Sequence, residues 1–297
     1  MKRKRILVGL GVIVALLIFF FSILFIIGRT TGRPGGFAFG DKIAVVEIKG
    51  VITESFDIIE EIHQYLEDEG VKAIVLRIDS PGGGVGPSQE IHREISKIKM
   101  KKKVKVITSM GSVAASGGYY IACASDLIVA NPGTLTGSIG VLMEFTNIEE
   151  LLKKIGVKGV VVKSGEHKDI GSPFREMTPD EKKIIQEVID NVHQQFIDAV
   201  VQGRKLDRDK VVQIADGRIL TGEQAKQLGL VDEIGDLQDA IDKAARMVGI
   251  TGKPNVIFPK RKFPLWELLA RETASALLKI LDEKGIELNY RLWSPLG

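Results

Sequence analysis

"VKAIVLRIDSPGGGVGPSQEIHREISKIK", residues 71–99, runs from a strand through a glycine-rich turn into a helix. Its first nine residues are β-branched and almost continuously apolar, the pattern of a strand covered on both faces. Three consecutive glycines, Gly82 to Gly84, then break the run, and "SQEIHREISKIK" (88–99) reads as a helical segment. A strand followed by a helix is the unit that builds parallel sheets.

The same alternation extends in both directions. "KIAVVEIKG" (42–50), "VKVITS" (104–109), "DLIVA" (126–130) and "GVVVKSG" (159–165) are further short strand-like runs. Helical stretches lie between them at 55–70 and after Ser116, so the expected class is an α/β fold with a largely parallel central sheet. Thr178-Pro179-Asp180-Glu181 has the form of a capping box with proline at the first helical position. Ile185, Val188, Ile189, Val192, Phe196 and Val200 then repeat at helical spacing, predicting a long amphipathic helix to about Gln202. "GRILTGEQAKQLGLVDEIG" (217–235) reads as a strand edge and a Thr221-capped helix, and "LQDAIDKAARMVG" (237–249) as another helix.

The N-terminus differs from the rest. Lys2-Arg3-Lys4-Arg5 precede 23 uncharged residues, Ile6 to Gly28, a length that spans a bilayer core. The run exceeds the apolar part of a cleavable signal, so an uncleaved transmembrane helix is expected. The basic leader places its N-terminus in the cytoplasm and the bulk of the chain outside the membrane. Residues 29–40 read as a linker, 41–255 as the globular domain, and 256–297 as an amphipathic tail.

Setting aside the four leading basic residues leaves 37 Lys and Arg against 38 Asp and Glu, which argues against a nucleic-acid surface. Lys97 to Lys105 form the one basic cluster; a solvated helix end explains it, and contact with anionic lipid is the alternative. A single cysteine, Cys123, excludes a disulfide framework and a cysteine-rich metal site, and reads as a small buried apolar residue.

Two stretches carry chemistry. In "RIDSPGGGVGPSQE" (77–90) the glycines would let backbone N–H groups approach an anion. No phosphate template fits, because the lysine of a P-loop is absent and Pro87 stands where a dinucleotide fingerprint needs glycine. An oxyanion hole and a purely structural turn remain.

The second stretch is "SMGSVAASGGYYIA" (109–122). Ser116 precedes Gly117-Gly118 where the chain turns into a helix, which would expose its side chain beside the next N–H group. Ser109 and Ser112 read as turn formers. Small-residue runs also occur where elements simply pack closely, so Ser116 stands here as a candidate nucleophile.

A serine needs a base. His63 and His92 fall on predicted helices at positions that suit the surface, and His193 lies within the long helix. No histidine occurs between residues 93 and 166, so a triad with histidine soon after the serine is unavailable. "VVKSGEHKDIGSPFREMT" (161–178) offers Lys168, with His167 as the fallback. A lysine acts as base only when neutral, which requires burial or a cationic neighbour; solvation in a loop is the plain alternative for both residues.

"DSPGGG", "AASGGYY", "TGSIGV" and "SGEHKDIGSPFREMT", in this order and spacing, resemble the signal peptide peptidase A family, membrane-anchored peptidases of the Clp-protease/crotonase fold. The resemblance covers about residues 41–250. It implies a superhelix of ββα units, Ser116 as nucleophile, Lys168 as general base, Ser138 as the residue orienting the lysine, and Gly83 and Gly117 as backbone oxyanion donors. It also implies no metal and no cofactor, apolar peptides such as released signal peptides as substrates, and a homo-oligomeric ring completing the sites. Whether serine and lysine come from one protomer or two stays open at this stage. The competing readings are a peptidase for stomatin-like membrane proteins, a crotonase-type protein holding an acyl-CoA, and a non-catalytic membrane-tethered scaffold.

Overall fold

The structure, a computed structural model, describes residues 40–101 and 104–259. The expected span at 6–28, most of the linker and the tail beyond 259 lie outside the described residues. Among the described residues no helix is long and apolar enough to cross a membrane.

Among the described residues eight strands form one sheet: β1 (Lys42–Lys49), β2 (Val71–Ser80), β3 (Lys105–Ala115), β4 (Leu127–Ala130), β5 (Leu135–Gly137), β6 (Ile219–Thr221), β7 (Glu233–Ile234) and β8 (Asn255–Ile257). The main path runs β6-β5-β3-β2-β1-β8, with β4 pairing β3 and β7. Every pairing is parallel except β5 with β6. The α/β class and the mostly parallel sheet are therefore as expected, and β8 carries the sheet two residues past the anticipated boundary at 255.

The alternation of strand side chains sorts the core into two layers. On one face Ala44, Val46, Ile48, Ile74, Leu76 and Ile78 pack beneath α1 (Phe56–Glu67), α2 (Val85–Lys101), α3 (Gly117–Ala122) and α5 (Pro179–Arg204). On the other, Ile43, Val45, Ala73, Val75, Ile107 and Val129 meet Ala240, Ile241, Ala244 and Ala245 of α8 (Leu237–Met247). Both sheet faces are thus dry, which is why the strand sequences read as continuous apolar runs; each fully buried isoleucine contributes about 1.5–3 kcal/mol. Three shorter helices, α4 (Glu149–Lys154), α6 (Arg208–Ile214) and α7 (Gly222–Gln227), complete the described elements. The capping boxes at Thr178 and Thr221 are both formed.

Three expectations are corrected. Ser109 and Ser112 are not turn residues: β3 continues through them to Ala115. The strand changes partner on the way, pairing β4 at Ile107–Ser109 and β5 at Val113–Ala115. Asp79 makes this possible by accepting from Val113 N at 3.1 Å, while a Cβ on Gly111 would lie 2.8 Å from its carboxyl carbon. Ser109 is buried and accepts from Arg77 Nη1 at 2.9 Å. Small residues with little strand propensity thus stay extended because partners on both sides take their hydrogen bonds.

Residues 159–165 form no strand. Val160 and Val162 are 87% and 95% exposed, because no described strand lies alongside to pair with them. His92, anticipated at the surface, is half-buried against Tyr120 with ring centroids 4.7 Å apart; desolvation, with Lys99 nearby, pushes its pKa down to about 4.

Cys123 is buried as expected, and desolvation pushes its thiol up to about 12. We expect Ellman's reagent to leave the native protein unlabelled and to react once denaturant unfolds the chain. Rapid stoichiometric labelling of the native protein would contradict this burial.

Candidate active site

Ser116 sits at the join of β3 and α3 with φ 52° and ψ −121°, a backbone that side-chain-bearing residues rarely adopt. The join is held from both sides: Ser116 N donates to Gly137 O at 2.9 Å, and Ser116 O accepts from Tyr120 N at 2.8 Å. The first bond ties the serine to the end of β5. The second ties it into the first turn of α3.

The glycine turn after β2 packs directly on this join. A Cβ on Gly82 would stand 2.7 Å from Gly117 N and 2.9 Å from Ser116 Cβ. A Cβ on Gly117 would stand 2.5 Å from Ser88 Oγ and 3.3 Å from Gly83 N. Only glycines allow two turns to approach so closely. Gly84 N donates to Ile52 O, and Ile52 N donates to Gly82 O, which fixes the turn from the other side. Among the described residues neither Gly83 N–H nor Gly117 N–H donates a hydrogen bond. The result is two free backbone donors beside a serine hydroxyl.

Ser138, at φ 50°, follows the positive-φ Gly137 at the end of β5 and donates its N–H to Arg218 O at 2.8 Å. Together Ser116, Ser138, Gly83 and Gly117 line one cavity of about 660 Å³. Its other walls come from α2, from Val141 and Leu142, and from the inner face of α5. Ser116 and the three residues expected around it are therefore brought together.

Lys168 is not among them. It is exposed on the loop between α4 and α5 and does not line the cavity. The fallback His167 is equally exposed. Around Lys168 the loop is well tied: Lys168 N donates to Gly165 O, and Ile148 N donates to Pro173 O. Arg175 meanwhile forks onto Asp169 and Glu181.

The cavity wall supplied by α5 was not singled out in the sequence. Gln186, Ile189, Asp190, His193 and Phe196 recur at helical spacing and face the cavity. His193 Nε2 is buried with no hydrogen-bond partner among the described residues. The signal was present as periodicity, but the same periodicity also describes an ordinary core-facing stripe. Among the described residues no cluster of side chains suits a metal ion.

A serine on a strained strand-to-helix join, lining one cavity with two free backbone N–H groups, has the form used in acyl transfer. Comparison with known proteins agrees with that class. Residues 98–251 match the family described as Peptidase family S49. A putative protease of Synechocystis is 45% identical over 210 residues, covering 70% of this chain and 75% of that protein. A putative signal peptide peptidase SppA of Enterococcus faecium is 34% identical over 268 residues, covering 82% of this chain and 78% of the relative. A solved mutant of the membrane-bound stomatin-specific protease 1510-N aligns at 20% identity with a TM-score of 0.49, covering 74% of this chain and 98% of the other. The chain belongs to peptidase family S49, and its chemistry is that of a protease.

Proposed function

We propose that this protein is a membrane-anchored serine endopeptidase, acting outside the cytoplasm on signal peptides and other apolar peptides close to the bilayer. Ser116 is the nucleophile, Lys168 the general base, Ser138 the residue that orients the lysine, and Gly83 and Gly117 the oxyanion donors. The fold is read as the Clp-protease/crotonase superhelix, preceded by the transmembrane helix at 6–28. The observation that carries this reading is the strained Ser116 beside two unoccupied backbone N–H groups in a cavity. The kinship to a putative signal peptide peptidase supports the choice of substrate, as do the apolar walls given by Val85, Leu142, Ile189 and Phe196.

Lys168 serves a neighbouring protomer in a homo-oligomeric ring. Two features support an assembly: the lysine lies outside its own chain's cavity, and the valine run just before it is open to water. An exposed run of this kind on a soluble domain marks an interface. Neutral Lys168 takes the Ser116 proton as Oγ attacks the scissile carbonyl. The Gly83 and Gly117 N–H groups hold the resulting oxyanion, each contributing about 2.7–4 kcal/mol. The Lys168 ammonium then protonates the leaving amine, and water, deprotonated by the same lysine, hydrolyses the acyl-enzyme.

A fluorophosphonate probe tests the nucleophile directly. We expect stoichiometric labelling of the assembled full-length protein at Ser116, read by peptide mass spectrometry, and none in Ser116→Ala. Equal labelling of both proteins would remove Ser116 from the mechanism.

A further inference from the structure

The loop that carries Lys168 is built around one guanidinium. Arg175 Nε donates to Asp169 Oδ2 at 2.8 Å and Nη2 to Asp169 Oδ1 at 2.7 Å, a two-pronged grip on the residue next to Lys168. Its Nη1 donates to Glu181 Oε2 at 2.7 Å and Nη2 also reaches Glu181 Oε1. The remaining Nη1 proton goes to Glu176 O at 3.0 Å, so all five N–H groups have acceptors. Glu181 is buried and itself closes the capping box of α5 by accepting from Thr178 N at 2.9 Å. Lys163 adds a second cation to Asp169, at 2.6 Å. Arg175 therefore bolts the residue beside the base to the first turn of the helix that walls the cavity.

We infer that Arg175 is a positioning residue for Lys168: it fixes the loop on α5 and occupies Asp169, so that this carboxylate cannot pair with the lysine. The inference rests on the reading of Lys168 as general base. Two carboxylates, Asp169 and Glu181, face two cations, Arg175 and Lys163, so the cluster is neutral without drawing on Lys168. Fork-to-carboxylate geometry of this kind cannot be reproduced by a lysine at position 175. Hydrogen bonds from Arg175, and then from Lys163, hold the Asp169 carboxyl well below the usual carboxylate range. Arg175 and then Thr178 N–H take Glu181 down to about 2.

The other charged or titratable groups on the loop are Lys158, Glu166, His167 and Glu176. From the elements packed against it come Glu149 of α4, held by Lys153, and Asp180 of α5. None of these is adjacent to Lys168 and released by loss of Arg175 in the way Asp169 is.

The test uses the full-length assembled protein, with kcat, KM and the pH profile of kcat/KM measured on an unfolded peptide substrate. Arg175→Ala is expected to lower kcat about 100-fold with KM within about twofold, because a small displacement of a catalytic group costs that much. Its acid limb should move to higher pH, since the Asp169 carboxylate, left with Lys163 alone, now favours the lysine ammonium. Adding Asp169→Asn to Arg175→Ala should return the limb toward its native position. Arg175→Lys, which keeps one charge and loses the fork, decides the matter if Arg175→Ala fails to fold, with about a 10-fold loss of kcat expected. A native kcat together with an unmoved acid limb in Arg175→Lys would overturn the positioning role. Lys168→Ala is run in parallel: if it keeps turnover, the base assignment itself has failed, whereas an inactive Lys168→Ala beside a native-like Arg175→Lys condemns the positioning role alone.

Discussion

Ser116→Ala and Lys168→Ala are each expected to lower kcat/KM by at least about 10⁴-fold while leaving assembly size unchanged. On the proposed mechanism, removing Oγ removes the bond-forming atom, and removing Nζ removes both the proton acceptor and the later donor to the leaving amine. The more informative experiment mixes the two inactive proteins and allows subunits to exchange. Where each site takes its serine from one protomer and its lysine from the next, random mixing at equal amounts pairs an intact Ser116 with an intact Lys168 at about a quarter of the sites. Activity should therefore return to about a quarter of the native value. Mixtures that stay inactive after demonstrated exchange would place serine and lysine in the same chain. The expectation of recovery follows from the exposed position of Lys168 outside its own cavity.

Gly83→Ala is expected to cost about 10²–10³-fold in kcat with the fold retained. A Cβ at this position would lie 2.2 Å from Ile52 O and 2.6 Å from Ile52 N, both backbone atoms. The turn must move to relieve the clash, and the Gly83 N–H moves with it. Loss of one oxyanion donor costs about 2.7–4 kcal/mol of transition-state stabilisation, which sets that range. Gly86→Ala is the matched control: nothing lies within 4 Å of its added Cβ, and it does not line the cavity. Circular dichroism of both variants should overlay the parent, and kcat of Gly86→Ala should stay within about twofold. A native kcat in Gly83→Ala would exclude this N–H from the oxyanion hole.

The sheet was legible because both its faces are covered, so runs such as "KIAVV" and "VKAIVL" carry an unambiguous apolar signal. The capped helices were legible because Thr178 and Thr221 announce themselves locally, three residues before Glu181 and Gln224. Around the site, the glycine turn and Ser116 could be read from small residues at a strand-to-helix join. What failed was what depends on neighbours. "MGSVAA" stays in a strand because Asp79 and the flanking strands β2 and β5 take its hydrogen bonds, and no local propensity encodes that. "GVVVKSG" has every strand signal except something to pair with. Arg175 was visible as a letter in a motif, but its partners lie six residues away on either side, and only folding brings Asp169 and Glu181 to one guanidinium.

The placement of Lys168 also bears on the timing of activity. In the proposed assembly a solitary chain would hold Ser116 with Lys168 outside its own cavity, a latent zymogen-like state. On that proposal self-association would act as the switch. Specific activity should collapse on dilution below the assembly constant, and newly exported chains would pass their neighbours harmlessly until enough of them had met.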